Sequence, residues 1–264
     1  MNAAGVVPGD GDARGAWRRF DGRVAVVTGG ASGIGEACAR RFADEGAAVA
    51  IADLDEARGR EVAASIGGDR AAFLRCDVAS SADWRALREF VLSRWGRLDV
   101  LHSNAFIQIA AAAHELDEDD WDRMQAVNLK AAYLGAKVLI DLLAAAGGAI
   151  VLTSSVNALV GRPGRPAYAA AKAGLCALAR QLAVEYGPEV RVNSVVPGAI
   201  LTPPWEGAGL TKQQASAAGT AAKRLGRAAE VAAAVAFLAS SDASYITGAD
   251  LVVDGGWSIM KSDG

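Results

Sequence analysis

Short strand-length runs alternate with helix-length stretches along almost the whole chain, and this alternation decides the fold class. The runs are Val24–Thr28, Ala48–Ala52, Ala71–Arg75, Leu98–His102, Ala149–Thr153, Val190–Val196 and Asp250–Val253. Between them lie helical stretches at Ile34–Glu45, Glu56–Ile66, Ser81–Trp95, Pro166–Tyr186 and Ala229–Ala239. A further helix opens with Asp117 as N-cap and runs through Asn128 to about Ala145. Continuously apolar strands are buried on both faces, and strands that follow one another through helices pair in parallel. The pattern predicts an α/β fold, a doubly wound seven-stranded parallel sheet with helices on both faces. Residues 22–264 read as one domain, without repeat, linker or composition break. Residues 1–21, rich in Gly, Asp, Arg and Ala without apolar period, read as a mobile extension. Residues 201–224 read as a mobile segment with some helix.

Composition narrows the function classes. The net charge of −3 over 264 residues leaves no electrostatic footprint for nucleic acid or an anionic membrane surface. No apolar run approaches the ~18 residues of a membrane span, and no signal-type hydrophobic region opens the chain. Cys38, Cys76 and Cys176 are scattered, so they read as buried free thiols, without disulfide or zinc spacing. His102 and His114 lack partners at ligand spacing, so no metal site and no histidine-based triad is expected. The expected compartment is cytoplasmic.

The turn after the first strand reads Thr28-Gly29-Gly30-Ala31-Ser32-Gly33-Ile34-Gly35. Glycines there let backbone amides approach a pyrophosphate, which the following helix N-terminus holds. The spacing departs from G-x-G-x-x-G, so the turn alone does not identify a dinucleotide site. Asp53 ends the second strand, where a carboxylate accepts hydrogen bonds from adenosine ribose hydroxyls and repels a 2′-phosphate. Neither Ser32 nor Leu54 supplies a cation for such a phosphate, so the expected cofactor is NAD, unless Arg58 folds back. Asp77 closes the third strand, where carboxyl ends of strands meet ligand, or it is a solvated turn residue.

Tyr168 and Lys172 stand four residues apart, one above the other on a helix face. A phenol keeps its proton until pH ~10, and a nearby cation pulls that value down toward working pH. Ser155 upstream offers a hydroxyl to hold the oxygen that gains or loses the proton.

With these motifs in order, the sequence resembles the short-chain dehydrogenase/reductase family in its single-domain, Rossmann-type form. The resemblance spans about Arg23 to Trp257. It rests on TGGASGIG at 28–35, CDV at 76–78, SNA at 103–105, Asn128 in VNL, SS at 154–155, YAAAK at 168–172, PG at 197–198 and DGG at 254–256. It implies Tyr168 as general acid/base, and Lys172 as the residue that binds the nicotinamide ribose and lowers the Tyr168 pKa. Ser155 would hold the substrate oxygen, and Asn128 would interrupt its helix and hold a water leading from Lys172 to solvent. Gly29, Ser32, Gly33, Ile34 and Gly35 would meet the pyrophosphate. Asp53 and Leu54 would meet the adenosine ribose, and Cys76, Asp77 and Val78 the adenine. Asn104 and Ala105 would line the cofactor cleft, and Pro197, Gly198, Ile200 and Thr202 the nicotinamide. Phe106 stands where the family usually has Gly, so its ring forms a wall of the substrate pocket or packs beneath the cofactor loop. Val156, Val160, Ile200 and Trp205 are candidate apolar lining, Asn157 is a polar neighbour of Ser155, and residues 201–224 would close as a lid.

The implied activity is NAD-dependent interconversion of a secondary alcohol and a ketone that has a hydrophobic body. An NADPH-dependent biosynthetic ketoreductase is the alternative that Asp53 opposes, and a non-catalytic NAD-binding sensor on the same fold is another. An enoyl reductase is disfavoured, because that branch spaces its Tyr and Lys differently. The family commonly forms homotetramers, which Ala131, Ala132, Ala173 and Ala177 would permit through close helix approach.

Overall fold

In a computed structural model, residues 18–207 and 209–260 are described. The elements run β1 (Val24–Thr28), α1 (Gly33–Asp44), β2 (Ala48–Asp53), α2 (Glu56–Ile66), β3 (Ala71–Arg75), α3 (Ser81–Trp95) and β4 (Val100–Ser103). They continue with α4 (Glu118–Gln125), α5 (Ala131–Ala146), β5 (Ala149–Thr153), α6 (Pro166–Tyr186), β6 (Arg191–Pro197), β7 (Ile200–Leu201) and α7 (Pro203–Glu206). The last are α8 (Leu210–Ala218), β8 (Gly226–Arg227), α9 (Ala228–Ala239) and β9 (Asp250–Val253). Seven parallel strands form one sheet in the order β3-β2-β1-β4-β5-β6-β9, as the alternation predicts. The register places Val26 between Ala50 and Leu101. The order reverses between β1 and β4, so a crevice opens beyond their carboxyl ends.

Both sheet faces are covered. Trp84, Leu87, Leu139, Leu143, Leu175 and Leu182 from α3, α5 and α6 bury one face. Phe42, Val62, Val231 and Val235 from α1, α2 and α9 bury the other. The Trp84 indole N–H donates to the Val78 carbonyl at 2.8 Å, so this buried ring has its polar atom satisfied. Gly135 faces that ring so closely that a Cβ would lie 2.7 Å from it.

Four sequence expectations are corrected. Residues 18–21 belong to the packed body: Phe20 is fully buried with its ring 5.0 Å from that of Phe42, and Arg19 pairs with buried Glu45 at 2.6 Å. The rest of the expected extension lies outside the described residues. The π-helical segment over Ala126–Lys130 supplies the interruption expected at Asn128, while the Asp117 side chain makes no capping hydrogen bond. Three acids in the first turn of α4 supply the favourable charge instead. The segment 201–224 is more regular than its weak period suggests, with α7 and α8 framed by β7 pairing in parallel with β8. Ala131 and Ala132 face the protein's own core, whereas Ala173 and Ala177 are exposed. Among the described residues, no helix is long and apolar enough to cross a membrane.

Candidate active site

A cleft of about 670 Å³ lies at the carboxyl ends of the strands, where the strand order reverses. Its floor begins at the glycine-rich turn. Gly29 has φ +65°, and a Cβ there would lie 2.9 Å from the Ala105 Cα, so the turn touches the loop after β4. Gly35 lies behind the turn and not on the cleft wall. A Cβ on it would lie 1.9 Å from the Gly29 carbonyl oxygen, so only glycine lets α1 start this close. Asn104 locks the same corner. Its side-chain amide donates to the carbonyls of Thr28 at 3.0 Å and Gly29 at 3.3 Å. Ser32 occupies the α1 N-cap position without a side-chain hydrogen bond to the helix, which leaves the first-turn amides for an anion.

Asp53 ties this turn to β2. One carboxylate oxygen accepts from the Ala31 N–H at 3.0 Å, and the other from the Asp55 N–H at 3.0 Å. Asp53, Leu54, Cys76, Asp77 and Val78 line one end of the cleft with Ser32, Gly33 and Ile34. Arg58 does not fold back: it pairs with Glu61 at 2.7 Å and Glu36 at 3.4 Å. Asp77 takes part in the loop, accepting from the Ala79 N–H at 3.0 Å, with Arg123 3.9 Å from its carboxylate. The glycine cradle, the uncapped helix end and the Asp53 carboxylate together fit a nicotinamide dinucleotide.

At the other end, Ser155, Tyr168 and Lys172 converge beside Asn104, Ala105, Phe106, Asn157, Pro197, Gly198, Ile200, Thr202 and Trp205. Lys172 is 2% exposed and donates to the Thr153 carbonyl at 2.7 Å. Its ammonium lies 5.7 Å from the centroid of the Phe106 ring and 5.6 Å from that of Tyr168. Burial pulls its pKa down to about 7, and the nearby Cys176 opposes this. The expected cation effect on Tyr168 is present but comes from Arg165, and burial outweighs it. Burial of the phenol pushes it above its ordinary value, while the Ser155 hydroxyl and the charge of Arg165 pull it down. The Lys172 ammonium rests over the Tyr168 ring, and Arg165 is the cation that opposes the effect of burial.

Asn128 lies in the π-helical segment but off the cleft wall. Its side chain accepts from the Ile107 N–H at 2.8 Å and donates to the Ile107 carbonyl at 2.9 Å, pinning the loop that carries Phe106. The Phe106 ring is 47% exposed and meets Tyr168 edge-on with centroids 6.3 Å apart, so it borders the cleft and is not packed beneath the loop. Val156 lines the cleft and Val160 does not.

The comparisons with known proteins agree with this geometry. A family model described as enoyl-(acyl carrier protein) reductase matches residues 29–258. A D-threitol dehydrogenase of Mycolicibacterium smegmatis is 41% identical over 255 residues, covering 91% of this chain and 95% of that protein. A cis-4-hydroxycyclohexanecarboxylate dehydrogenase of Sinomonas cyclohexanicum is 43% identical over 246 residues, covering 91% and 98%. A solved structure from Brucella melitensis, a short-chain dehydrogenase/reductase described as a glucose/ribitol dehydrogenase, superposes with a TM-score of 0.88 at 33% identity, covering 92% and 99%. The chain belongs to the short-chain dehydrogenase/reductase family. As a member it is an oxidoreductase acting on CH–OH groups with a nicotinamide cofactor, NAD or NADP.

Several lining residues escaped the sequence reading. Arg162, Arg165, Lys212 and Trp257 all border the cleft of this short-chain dehydrogenase/reductase. The visible signal was the repeated tripeptide Gly-Arg-Pro at 161–163 and 164–166, just before the Tyr168 helix. His102 was set aside as a ligand, and the structure gives it a neutral, internal place. Its Nε2 meets the Thr153 hydroxyl at 2.8 Å, and burial, helped by the Lys172 charge, depresses its pKa to about 3.

Proposed function

We propose that the protein is an NAD-dependent dehydrogenase interconverting a secondary alcohol and a ketone, with Tyr168 as general acid/base. The observation that carries this is the convergence of Ser155, Tyr168 and Lys172 at one end of a cleft whose other end holds Asp53. A bound nicotinamide supplies the hydride acceptor or donor. Gly29, Gly33 and Ile34 would hold its pyrophosphate, Asp53 its adenosine ribose, and Lys172 its nicotinamide ribose. The Ser155 hydroxyl holds the substrate oxygen, and Tyr168 takes the alcohol proton or returns it to the ketone. Phe106 shields the Tyr168–Lys172 pair from water and forms one wall of the substrate pocket.

Three observations support NAD over NADP. Asp53 faces the cleft, Leu54 beside it carries no charge, and Arg58 is engaged by Glu61 and Glu36. The relatives named for D-threitol and for a hydroxylated cyclohexane ring support a secondary alcohol as the reacting group. The Tyr168–Lys172 pair, one helical turn long and beside Ser155, supports alcohol chemistry over the enoyl reduction in the family model's description. Residues 201–224 act as a lid, because Trp205 and Lys212 both reach the cleft. A homotetramer in the cytoplasm is the assembly we infer, with Ala173 and Ala177 on the exposed side of α6 giving close helix approach. The test follows absorbance at the reduced-nicotinamide band with NAD or NADP and a panel of secondary alcohols, from sugar alcohols through aromatic carbinols to steroids. Turnover with NAD on one class supports the proposal, and turnover with NADP alone refutes the cofactor assignment.

A further inference from the structure

Two Gly-Arg-Pro tripeptides stand between β5 and α6, and both arginines reach the cleft at the end that holds Tyr168. The Arg162 guanidinium lies 5.6 Å from the centroid of the Trp257 ring. Arg165 is half-buried at the start of α6, one turn before Tyr168. On α8, Lys212 also lines the cleft, its ammonium 5.7 Å from the Trp205 ring centroid. Three cations thus line the cleft that holds the catalytic phenol, Arg162 and Lys212 exposed and held over indole rings.

Among the described residues, no carboxylate pairs with them. The carboxylates that line the cleft are Asp53 and Asp77, and Asp77 has Arg123 beside it. Among the described residues, no ion pair joins Arg162, Arg165 or Lys212 to a carboxylate, whereas Arg40, Arg88, Arg180 and Arg224 each sit on one. Burial and the like charge of Arg162 both work against the Arg165 cation, and the Tyr168 oxygen works for it. Two adjacent guanidiniums, one of them partly desolvated, are a costly arrangement unless an anion joins them. Pro163 and Pro166 follow the two arginines and stiffen the backbone that presents them. The cofactor pyrophosphate has its own cradle at the glycine turn, so these cations are left for the substrate.

We infer that Arg162 and Arg165, with Lys212 from the lid, bind a carboxylate on the substrate, so that the alcohol oxidised here is a secondary hydroxy acid. Val156, Ile200 and Trp205 contact its apolar body. This rests on the alcohol–ketone reading above and adds the second functional group that the site recognises.

The test compares β-hydroxybutyrate and β-hydroxycyclohexanecarboxylate, each beside its methyl ester, in wild type and Arg162→Gln. Charge-assisted hydrogen bonds predict that kcat/KM favours acid over ester by about tenfold to hundredfold in wild type. Arg162→Gln should remove most of that preference and leave ester turnover and NADH affinity within about twofold. A parallel titration of the protein–NADH complex with the matching keto acids and keto esters, read by nicotinamide fluorescence, reports binding without turnover. Acids no better than esters in both assays would overturn the inference. So would equal losses for acid, ester and NADH in the variant, which would assign Arg162 to the cofactor or the fold. Arg162-dependent binding of keto acids without any turnover would leave the anion site standing and refute the alcohol–ketone reading instead.

Discussion

Asp53 does two jobs that one substitution series separates. Its carboxylate holds the Ala31 N–H at 3.0 Å, and Ala31 is 2% exposed, so water cannot readily replace that acceptor. Orphaning a buried N–H costs about 1–3 kcal/mol. Asp53→Ala should therefore melt about 2–12 °C below wild type, at roughly 2–4 °C per kcal/mol for a chain of this size. Asp53→Asn keeps an oxygen toward Ala31 and should lose less than half as much. The charge acts on the cofactor choice. A carboxylate and a phosphate charge ~5 Å apart repel by about 3 kcal/mol at an effective dielectric of ~20. Solvent and salt at this half-buried group reduce the net to about 1–3 kcal/mol. Asp53→Asn should then raise the ratio of kcat/KM for NADP to that for NAD by about fivefold to 150-fold. The assays are thermal melting and initial rates with both cofactors. An unchanged cofactor ratio in Asp53→Asn would refute the repulsion argument, and an unchanged melting temperature in Asp53→Ala would refute the tether.

Three further perturbations have definite outcomes. Lys172→Met should lower turnover by about a hundredfold to ten-thousandfold, read by initial rates; retained turnover would remove Lys172 from the chemistry. Gly35→Ala places a Cβ 1.9 Å from a backbone oxygen that no rotamer change can move, so NADH affinity should fall at least about tenfold and stability by about 1–3 kcal/mol, read by fluorescence titration and melting. Glu230 accepts from Arg224 at 2.6 and 2.8 Å and from the Arg227 N–H at 2.7 Å, and the Arg224 hydrogen bond brings its pKa from 4.5 down to about 2 against the effect of burial. A depressed carboxylate stabilises the fold above its unfolded pKa, so the melting gap between wild type and Glu230→Gln should be full at neutral pH and close as pH falls from 4.5 toward 2. A gap that stayed constant over that range would show that the Arg224–Glu230 pair contributes nothing.

What the sequence made legible was set by local rules. The strands could be read because buried parallel strands are continuously apolar, and the cofactor end because glycine and a strand-end acid mark it within a few residues of chain. Tyr168 and Lys172 could be read because a helical turn fixes their spacing, and Ser155 because it stands in the Ser154-Ser155 pair upstream. Arg162, Arg165 and Trp257 could not, since a proline–glycine loop carries no period and Trp257 reaches the cleft from far along the chain. The direction of the Tyr168 shift was also hidden. Spacing shows that a cation is near, but only the packing shows that burial outweighs it and that the Lys172 ammonium lies over the ring. Gly35 was read as a contact to the pyrophosphate, and its place behind the turn shows that a missing side chain can serve packing between backbones. Phe20 was missed because Trp17 and Phe20 among Gly, Asp and Arg give no sustained periodic signal, although its partner Phe42 is in the core.

The central claim is that Tyr168 moves the substrate proton in an NAD-dependent dehydrogenase. The most direct measurement compares wild type with Tyr168→Phe by absorbance at the reduced-nicotinamide band, alongside NADH binding to both. The account predicts NAD reduction by wild type, and in Tyr168→Phe a loss of turnover of about a hundredfold to ten-thousandfold with NADH affinity retained. A variant that turns over like wild type, or a wild type that binds NADH and oxidises no secondary alcohol in the panel, would contradict it.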